Sequence, residues 1–161
     1  PEVREWVASR GLAGRVEFCD PLPGETALSG FLHSLRVLAH ANDAGESFGL
    51  AIAEAMAAGL PVVTHPCPPP RDNAQLELVE HGRTGLVADT AEDYAAAVAW
   101  LLANPDQARS MGRAGQAKAR DLYRVQAVAR QLETFYLDLL ARTPDASHPL
   151  PGPRPLCRIH G

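Results

Sequence analysis

The chain has 161 residues, 46% of them hydrophobic, and a formal net charge of -4. That is enough for one globular core, and the acidic balance leaves no basic footprint for nucleic acid. Cys19, Cys67 and Cys157 are odd in number and lack Cys-x-x-Cys spacing, which argues against a disulfide framework and fits a reducing, cytoplasmic setting.

The chain opens on a segment that reads as the end of a helix, with Val3, Trp6 and Val7 on one face and Gly11 as its stop. Val16-Glu17-Phe18-Cys19 reads as a first strand, and Asp20-Pro21-Leu22-Pro23-Gly24 as a loop by its turn residues. A short helix is expected over residues 26–33 and a second strand over 35–40. His40 and Asn42, at the end of that strand, read either as polar strand-end residues or as groups within reach of a ligand.

Residues 45–64 form the most informative stretch: loop, helix, stop, strand. The run after Glu46-Ser47 is Ala-rich and a good helix former. Gly59 is a C-terminal stop, Pro61 cannot continue the helix, and the apolar, β-branched 61–64 segment suits a buried parallel strand. A helix N-terminus near Gly49 is a ready anion site. Glu46 and Glu54 lie eight residues apart; were all of that spacing helical, the carboxylates would flank about 12 Å, room for a phosphate with hydroxyl-rich groups on either side. Carboxylates are strong acceptors for such hydroxyls. Taken alone, Glu46 also reads as a charge placed at a helix start by the dipole, Glu54 as a solvated face, and Phe48 as core packing.

Beyond this stretch, residues 65–73 form a loop by their prolines, 75–80 a short helix, 82–85 a turn and 86–88 a fourth strand. An amphipathic helix is expected to 103 with Tyr94, Val98, Leu101 and Leu102 inward, another from Asn104-Pro105-Asp106, and a long final helix over 126–141 with Val128, Leu132, Phe135, Tyr136 and Leu139 at helical spacing. Gly112-Arg113-Ala114-Gly115 is a phosphate loop only superficially, since it lies inside a helical pattern. Residues 1–142 are thus read as one domain and 143–161 as a Pro-rich, extended or disordered tail. Strands alternating with helices imply an α/β fold, a Rossmann-like parallel sheet with helices on both faces, binding its ligands outside the strand C-termini. No apolar run approaches the roughly 18 residues of a membrane helix.

Glu46-Ser47-Phe48-Gly49 followed by Glu54, then Ala55-Met56-Ala57-Ala58-Gly59-Leu60-Pro61-Val62-Val63, resembles the Glu-x7-Glu motif of retaining glycosyltransferases of the GT-B fold, family 4 in particular. Glu77-Leu78-Val79-Glu80-His81-Gly82-Arg83-Thr84-Gly85-Leu86-Val87 resembles a second block of that family, and residues 10–18 a third. The resemblance implies a GT-B donor domain and a hexosyltransferase-type reaction with a nucleotide sugar. Glu46 would be the catalytic carboxylate on the donor sugar, Ser47, Phe48, Gly49 and Leu50 would bind the donor, Glu54 would take the ribose hydroxyls, and the loop at 20–24 would lie near the nucleobase. Glu77 reads either as a ligand contact or as an ordinary surface residue.

No cofactor is implied beyond the donor substrate, and no metal: the chain has no Asp-x-Asp, and His33, His40, His65, His81, His148 and His160 show no ligand spacing. One departure stands out: Asn73-Ala74 occupy the places where family members usually have Gly-Gly. The family's acceptor domain and its Arg and Lys block are expected upstream. The chain is therefore read as the C-terminal part of a donor domain, inactive alone, with an unpaired sheet edge where further strands belong. Its partner would be the acceptor domain of the same full-length protein, for which peripheral membrane association is left open. Two other classes compete: a non-catalytic nucleotide-sugar-binding or regulatory module, and an α/β interaction domain without a ligand. Intact Glu46, Phe48-Gly49 and Glu54 weigh against the last.

Overall fold

A computed structural model describes residues 2–142; the Pro-rich tail expected at 143–161 lies outside them. The elements run α1 (Glu2–Ser9), α2 (Gly24–Ser34), β1 (Leu38–Ala39), α3 (Leu50–Ala57), β2 (Val62–Thr64), α4 (Ala74–Leu78), β3 (Gly85–Val87), α5 (Ala91–Ala103), α6 (Pro105–Leu122) and α7 (Val125–Arg142). The described residues fall into two units, divided between Arg120 and Asp121. The first holds the sheet and nearly all of α1–α6. The second holds α7, whose Val128, Leu132, Phe135, Tyr136 and Leu139 recur at helical spacing as the periodicity predicts.

The sheet is parallel, in the order β1-β2-β3, with Leu38 beside Val62 and Val62 beside Gly85. Val62, Val63 and Thr64 are all fully buried. Successive strand residues point to opposite faces, so both faces of β2 are covered, as a parallel sheet requires. On one side Val63 packs with Leu101, Ala108 and Met111 from α5 and α6. Ile52, Ala55 and Met56 form the buried stripe of α3. That helix ends where Gly59 turns left-handed at φ 80°, and the chain passes through Pro61 into β2. Thr90 caps α5 by accepting the Asp93 N–H at 3.1 Å.

Four expectations need correction. Residues 16–19 form no strand. A strand exists through its ladder, and among the described residues β1 has β2 as its sole neighbour; Val16 is instead exposed, and Phe18 lies under the Arg4 guanidinium at 4.2 Å. The other three strands form, but the one expected over 35–40 is cut to Leu38–Ala39, the one over 61–64 loses its first residue and the one over 86–88 begins and ends one residue earlier. In α1 only Val7 is buried; Val3 and Trp6 are exposed, and Arg10 lies over the Trp6 ring at 5.0 Å. In α5, Leu101 is buried but Leu102 faces outward.

Lys118 ties α6 to the end of α4. Its Nζ donates to the carbonyls of Glu77 at 2.7 Å and Leu78 at 3.0 Å, and it pairs with Glu80 Oε1 at 2.8 Å. A cation over the last carbonyls of a helix satisfies groups that the helix leaves open. Hydrogen bonds from Lys118 and Arg83 outweigh desolvation and hold the Glu80 carboxyl below its ordinary range. Lys118→Met is expected to destabilise the fold by about 2 kcal/mol, because it orphans partly buried acceptors. Chemical denaturation checks this, and an unchanged midpoint would show the tie to be ornamental.

No helix among the described residues is long and apolar enough to cross a membrane.

Candidate functional site

The site is built on the loop that leaves β1 and enters α3, at the C-terminal edge of the sheet. Asn42 shapes its first half: the side-chain Oδ1 accepts the Ala44 N–H at 3.0 Å, and Nδ2 donates to the Gly45 carbonyl at 2.8 Å. Gly45 follows at φ 91° with the backbone of residues 71–72 closing over it; a Cβ there would lie 3.0 Å from Arg71 Cβ and from the Asp72 carbonyl oxygen. Glu46 then pairs with the opposing loop through its backbone, donating to Asp72 O at 3.0 Å and accepting from Ala74 N at 2.9 Å.

The Glu46 side chain turns back onto the start of α3. Its Oε1 accepts the Gly49 N–H at 2.9 Å and the Phe48 N–H at 3.4 Å. Gly49, buried and at φ 89°, is the N-cap and has no side chain to do this work. The Glu46 carboxylate supplies the missing cap and places a negative charge at the positive end of the helix dipole. Its Oε2 faces His40 Nε2 at 3.4 Å, and His40 Nδ1 lies 3.3 Å from Thr64 Oγ1 at the end of β2. Burial acts to raise the Glu46 pKa. The N–H groups of Phe48 and Gly49, a hydrogen bond from Asn42 and the charge of His40 outweigh it, so the carboxyl lies below its ordinary value. At neutral pH this group is an anion with one oxygen committed to the backbone.

Glu54 faces elsewhere. It lines an open groove of about 340 Å³ with residues of α2, among them Glu25, Ser29 and His33. The spacing estimate from helical rise therefore needs correction: α3 begins at Leu50, so only the second half of the Glu46–Glu54 interval is helical. Ser47, Phe48 and Leu50 are all exposed. That corrects the expectation that Phe48 packs in the core. Leu50 opens the helix, and its N–H, like those of any first turn, has no acceptor within the helix. Glu77 is exposed, with its carbonyl rather than its carboxylate engaged.

Asn73, standing where Gly-Gly was expected, locks the Pro-rich loop. Its Oδ1 accepts from Cys67 N at 2.7 Å and Gln75 Nε2 at 2.9 Å; its Nδ2 donates to the carbonyls of Cys67 at 3.0 Å and Arg71 at 3.1 Å. A glycine pair could make none of these side-chain bonds. The sequence reading did not foresee this role, nor the Thr64–His40–Glu46 chain. Its only signals were a polar residue at each strand end and an amide amid prolines. Among the described residues no three of His, Cys, Asp and Glu gather into a group that could hold a metal.

The profile of the glycosyl transferases group 1 family matches residues 2–118. Over 133 residues the chain is 34% identical to the GDP-mannose-dependent alpha-(1-6)-phosphatidylinositol monomannoside mannosyltransferase of Mycobacterium tuberculosis, covering 78% of this chain and 33% of that protein. Over 97 residues it is 32% identical to the N-acetyl-alpha-D-glucosaminyl L-malate synthase of Bacillus anthracis, covering 59% and 24%. The chain thus spans a third or less of the curated relatives it matches. Among solved structures, the sucrose-phosphate synthase of Thermosynechococcus elongatus superposes with a TM-score of 0.75 at 28% identity, over 88% of this chain and 34% of that one.

Proposed function

The chain belongs to the glycosyl transferases group 1 family, and on that premise we propose that it is the donor-binding portion of a retaining glycosyltransferase, which moves a sugar from a nucleotide sugar to an acceptor. The observation that carries this reading is the Glu46 carboxylate, held ionised at the start of α3 with Oε1 on the Gly49 N–H and Oε2 toward His40. Oε2 is then the oxygen that accepts from hydroxyls of the donor sugar. Glu54, on the α2 side of α3, accepts from the ribose. The first-turn N–H groups at Leu50 face the diphosphate, with those of Phe48 and Gly49 shared between a phosphate oxygen and Glu46. Such preoriented dipoles stabilise the charge that grows on the leaving diphosphate without reorganising. The relative named as GDP-mannose-dependent supports a nucleotide-sugar donor. Neither a metal nor a further cofactor enters the proposal.

Isothermal titration of the chain with nucleoside diphosphates and their sugar conjugates tests it. Glu54→Ala is expected to weaken both classes of ligand about tenfold or more, the loss of a hydrogen bond to a charged group. Equal affinities for wild type and variant would remove Glu54 from the ribose. Turnover by the chain alone would overturn the reading that it is a donor-binding portion, whereas binding without turnover even when joined to an acceptor side would favour a non-catalytic module.

A further inference from the structure

The His40 ring has no part in the donor contacts proposed above, yet it is fixed from two sides. His40 directly follows β1, and its backbone N–H donates to the Val63 carbonyl at 2.9 Å, so it extends the pairing of β1 with β2 by one residue. Its side chain is only 13% exposed. Thr64, the last residue of β2, is fully buried. Among the described residues, the partner of its hydroxyl is His40 Nδ1, 3.3 Å from Oγ1. The other ring nitrogen, Nε2, lies 3.4 Å from Glu46 Oε2. The ring therefore stands between a hydroxyl that can donate or accept and a carboxylate that, ionised, only accepts.

These neighbours assign the protons. A neutral imidazole has one N–H and one lone pair; a charged one has two N–H groups. A lone pair at Nε2 would be set against the Glu46 anion. The opposite tautomer makes both contacts attractive, with Nε2–H toward Oε2 and the Thr64 hydroxyl donating to Nδ1. In the charged ring Nε2–H stays and Thr64 turns to accept. Either form presents a proton to Glu46.

The consequence for Glu46 is one of aim. Its Oε1 is tied to the Gly49 N–H at 2.9 Å, but a carboxylate held through one oxygen still swings about that bond. A donor at the second oxygen removes the freedom. The two oxygens carry about four lone-pair sites, so Oε2 can take the His40 proton and still accept from a ligand. The restraint is built on strands: Thr64 lies within the ladder, its carbonyl accepting the Ala88 N–H at 2.9 Å, and side chains on strands hold a geometry more closely than side chains on loops.

We infer that His40 is a positioning residue for Glu46: the Thr64 hydroxyl orients its ring, and its Nε2–H holds the carboxylate at the angle from which Oε2 meets a ligand. The effect on turnover rests on the proposed place of Glu46 at the donor sugar; the proton assignment does not.

The proton assignment is read on the chain itself. Long-range proton–nitrogen correlation spectra of the labelled chain, with the His40 signals identified by their loss in His40→Gln, are expected to show a proton on Nε2. A bare Nε2 overturns the inference whatever the ligand. Turnover is read in an enzyme that carries this chain with its acceptor side. His40→Ala is expected to lower kcat about tenfold and to leave nucleoside diphosphate affinity within about twofold, because Oε1 and Glu54 are untouched. His40→Gln, whose amide N–H reaches toward the place of Nε2, should restore most of that loss. Thr64→Val is expected to lower kcat about threefold, and Thr64→Ser, which keeps the hydroxyl, to stay near wild type. In a Glu46→Gln background His40→Ala should cost little more, since the two side chains act as one unit. Losses that simply multiply in the double variant, or nucleotide affinity that falls in step with kcat, would mark a histidine that only supports the fold and would overturn the inference. The two proposals fail separately. Normal turnover in Glu46→Gln with the proton on Nε2 defeats the donor reading and leaves the ring orientation standing, whereas a bare Nε2 with impaired Glu46 variants defeats the His40 role alone.

Discussion

Glu46→Ala is expected to lower turnover on the order of a hundredfold in an enzyme that carries this chain with its acceptor side. On the proposed reading the substitution removes two things together: the acceptor for the donor sugar, and the carboxylate that takes the Gly49 and Phe48 N–H groups. Orientation accounts for much of the loss, because a sugar held loosely no longer presents its anomeric carbon to the acceptor. Glu46→Gln separates the parts. Its amide oxygen can keep the Gly49 bond, whereas the charge facing His40 is gone. Turnover should fall in both variants, but thermal stability should fall chiefly in Glu46→Ala, by about 1 kcal/mol as for other lost caps. The pH dependence carries a sign. Since folding lowers the Glu46 pKa, its stabilisation is complete above the unfolded carboxylate value and is lost as pH falls through the folded one. Melting curves across the acid range should therefore drop less steeply in Glu46→Gln than in the wild type. Normal turnover in both variants would end the assignment of Glu46 to the sugar.

Gly112→Ala is expected to be the most damaging single methyl group in the α6 interface. A Cβ at Gly112 would overlap the Gly59 carbonyl oxygen and lie 2.9 Å from its carbonyl carbon. Both are backbone atoms at the C-terminal turn of α3, so neither can swing aside as a side chain would. Overpacking of this kind costs about 1–3 kcal/mol or more, against which the better helix propensity of alanine returns about 1 kcal/mol. We expect a net loss of about 2 kcal/mol and a melting temperature lower by roughly 5–10 °C. Two neighbours serve as comparisons. At Gly115 the nearest atom to a new Cβ is Met56 Cγ at 3.5 Å, an ordinary contact, so Gly115→Ala should be close to neutral. Gly30, exposed inside α2 with nothing near a new Cβ, should gain about 0.5–1 kcal/mol as alanine. Calorimetry of the three variants decides it; equal melting temperatures would mean that α6 does not depend on this close approach. The same contact explains the Gly-Arg-Ala-Gly run in α6: its first glycine lets two backbones meet, and no phosphate is needed to account for it.

Much of the site's scaffold was legible locally. Alanine-rich helix chemistry after Gly49, the Gly59 stop, Pro61 and the β-branched 62–64 segment together specify loop, helix, stop and strand, because each acts through its own backbone preferences. The same holds for Thr90 before α5 and Pro105 at the start of α6. The pattern carried by Glu46, Phe48, Gly49 and Glu54 was equally plain, since it is a matter of residue identity and spacing.

What residue identity could not convey is where long-range partners lie. Residues 16–19 have strand chemistry, yet a strand needs a neighbour, and among the described residues the sheet pairs only β1 with β2 and β2 with β3. Helical rise placed the two glutamates along one axis; the fold instead bends Glu46 back as a cap and turns Glu54 into a groove against α2, because Gly49 takes a left-handed conformation just before the helix. The locking role of Asn73 depends on three backbone groups and one side chain of the Pro-rich loop, and the Thr64–His40–Glu46 chain on two strands lying side by side. Local chemistry thus determined the elements and named the motif, whereas the aim of each side chain was decided by hydrogen bonds and packing between segments far apart in the chain.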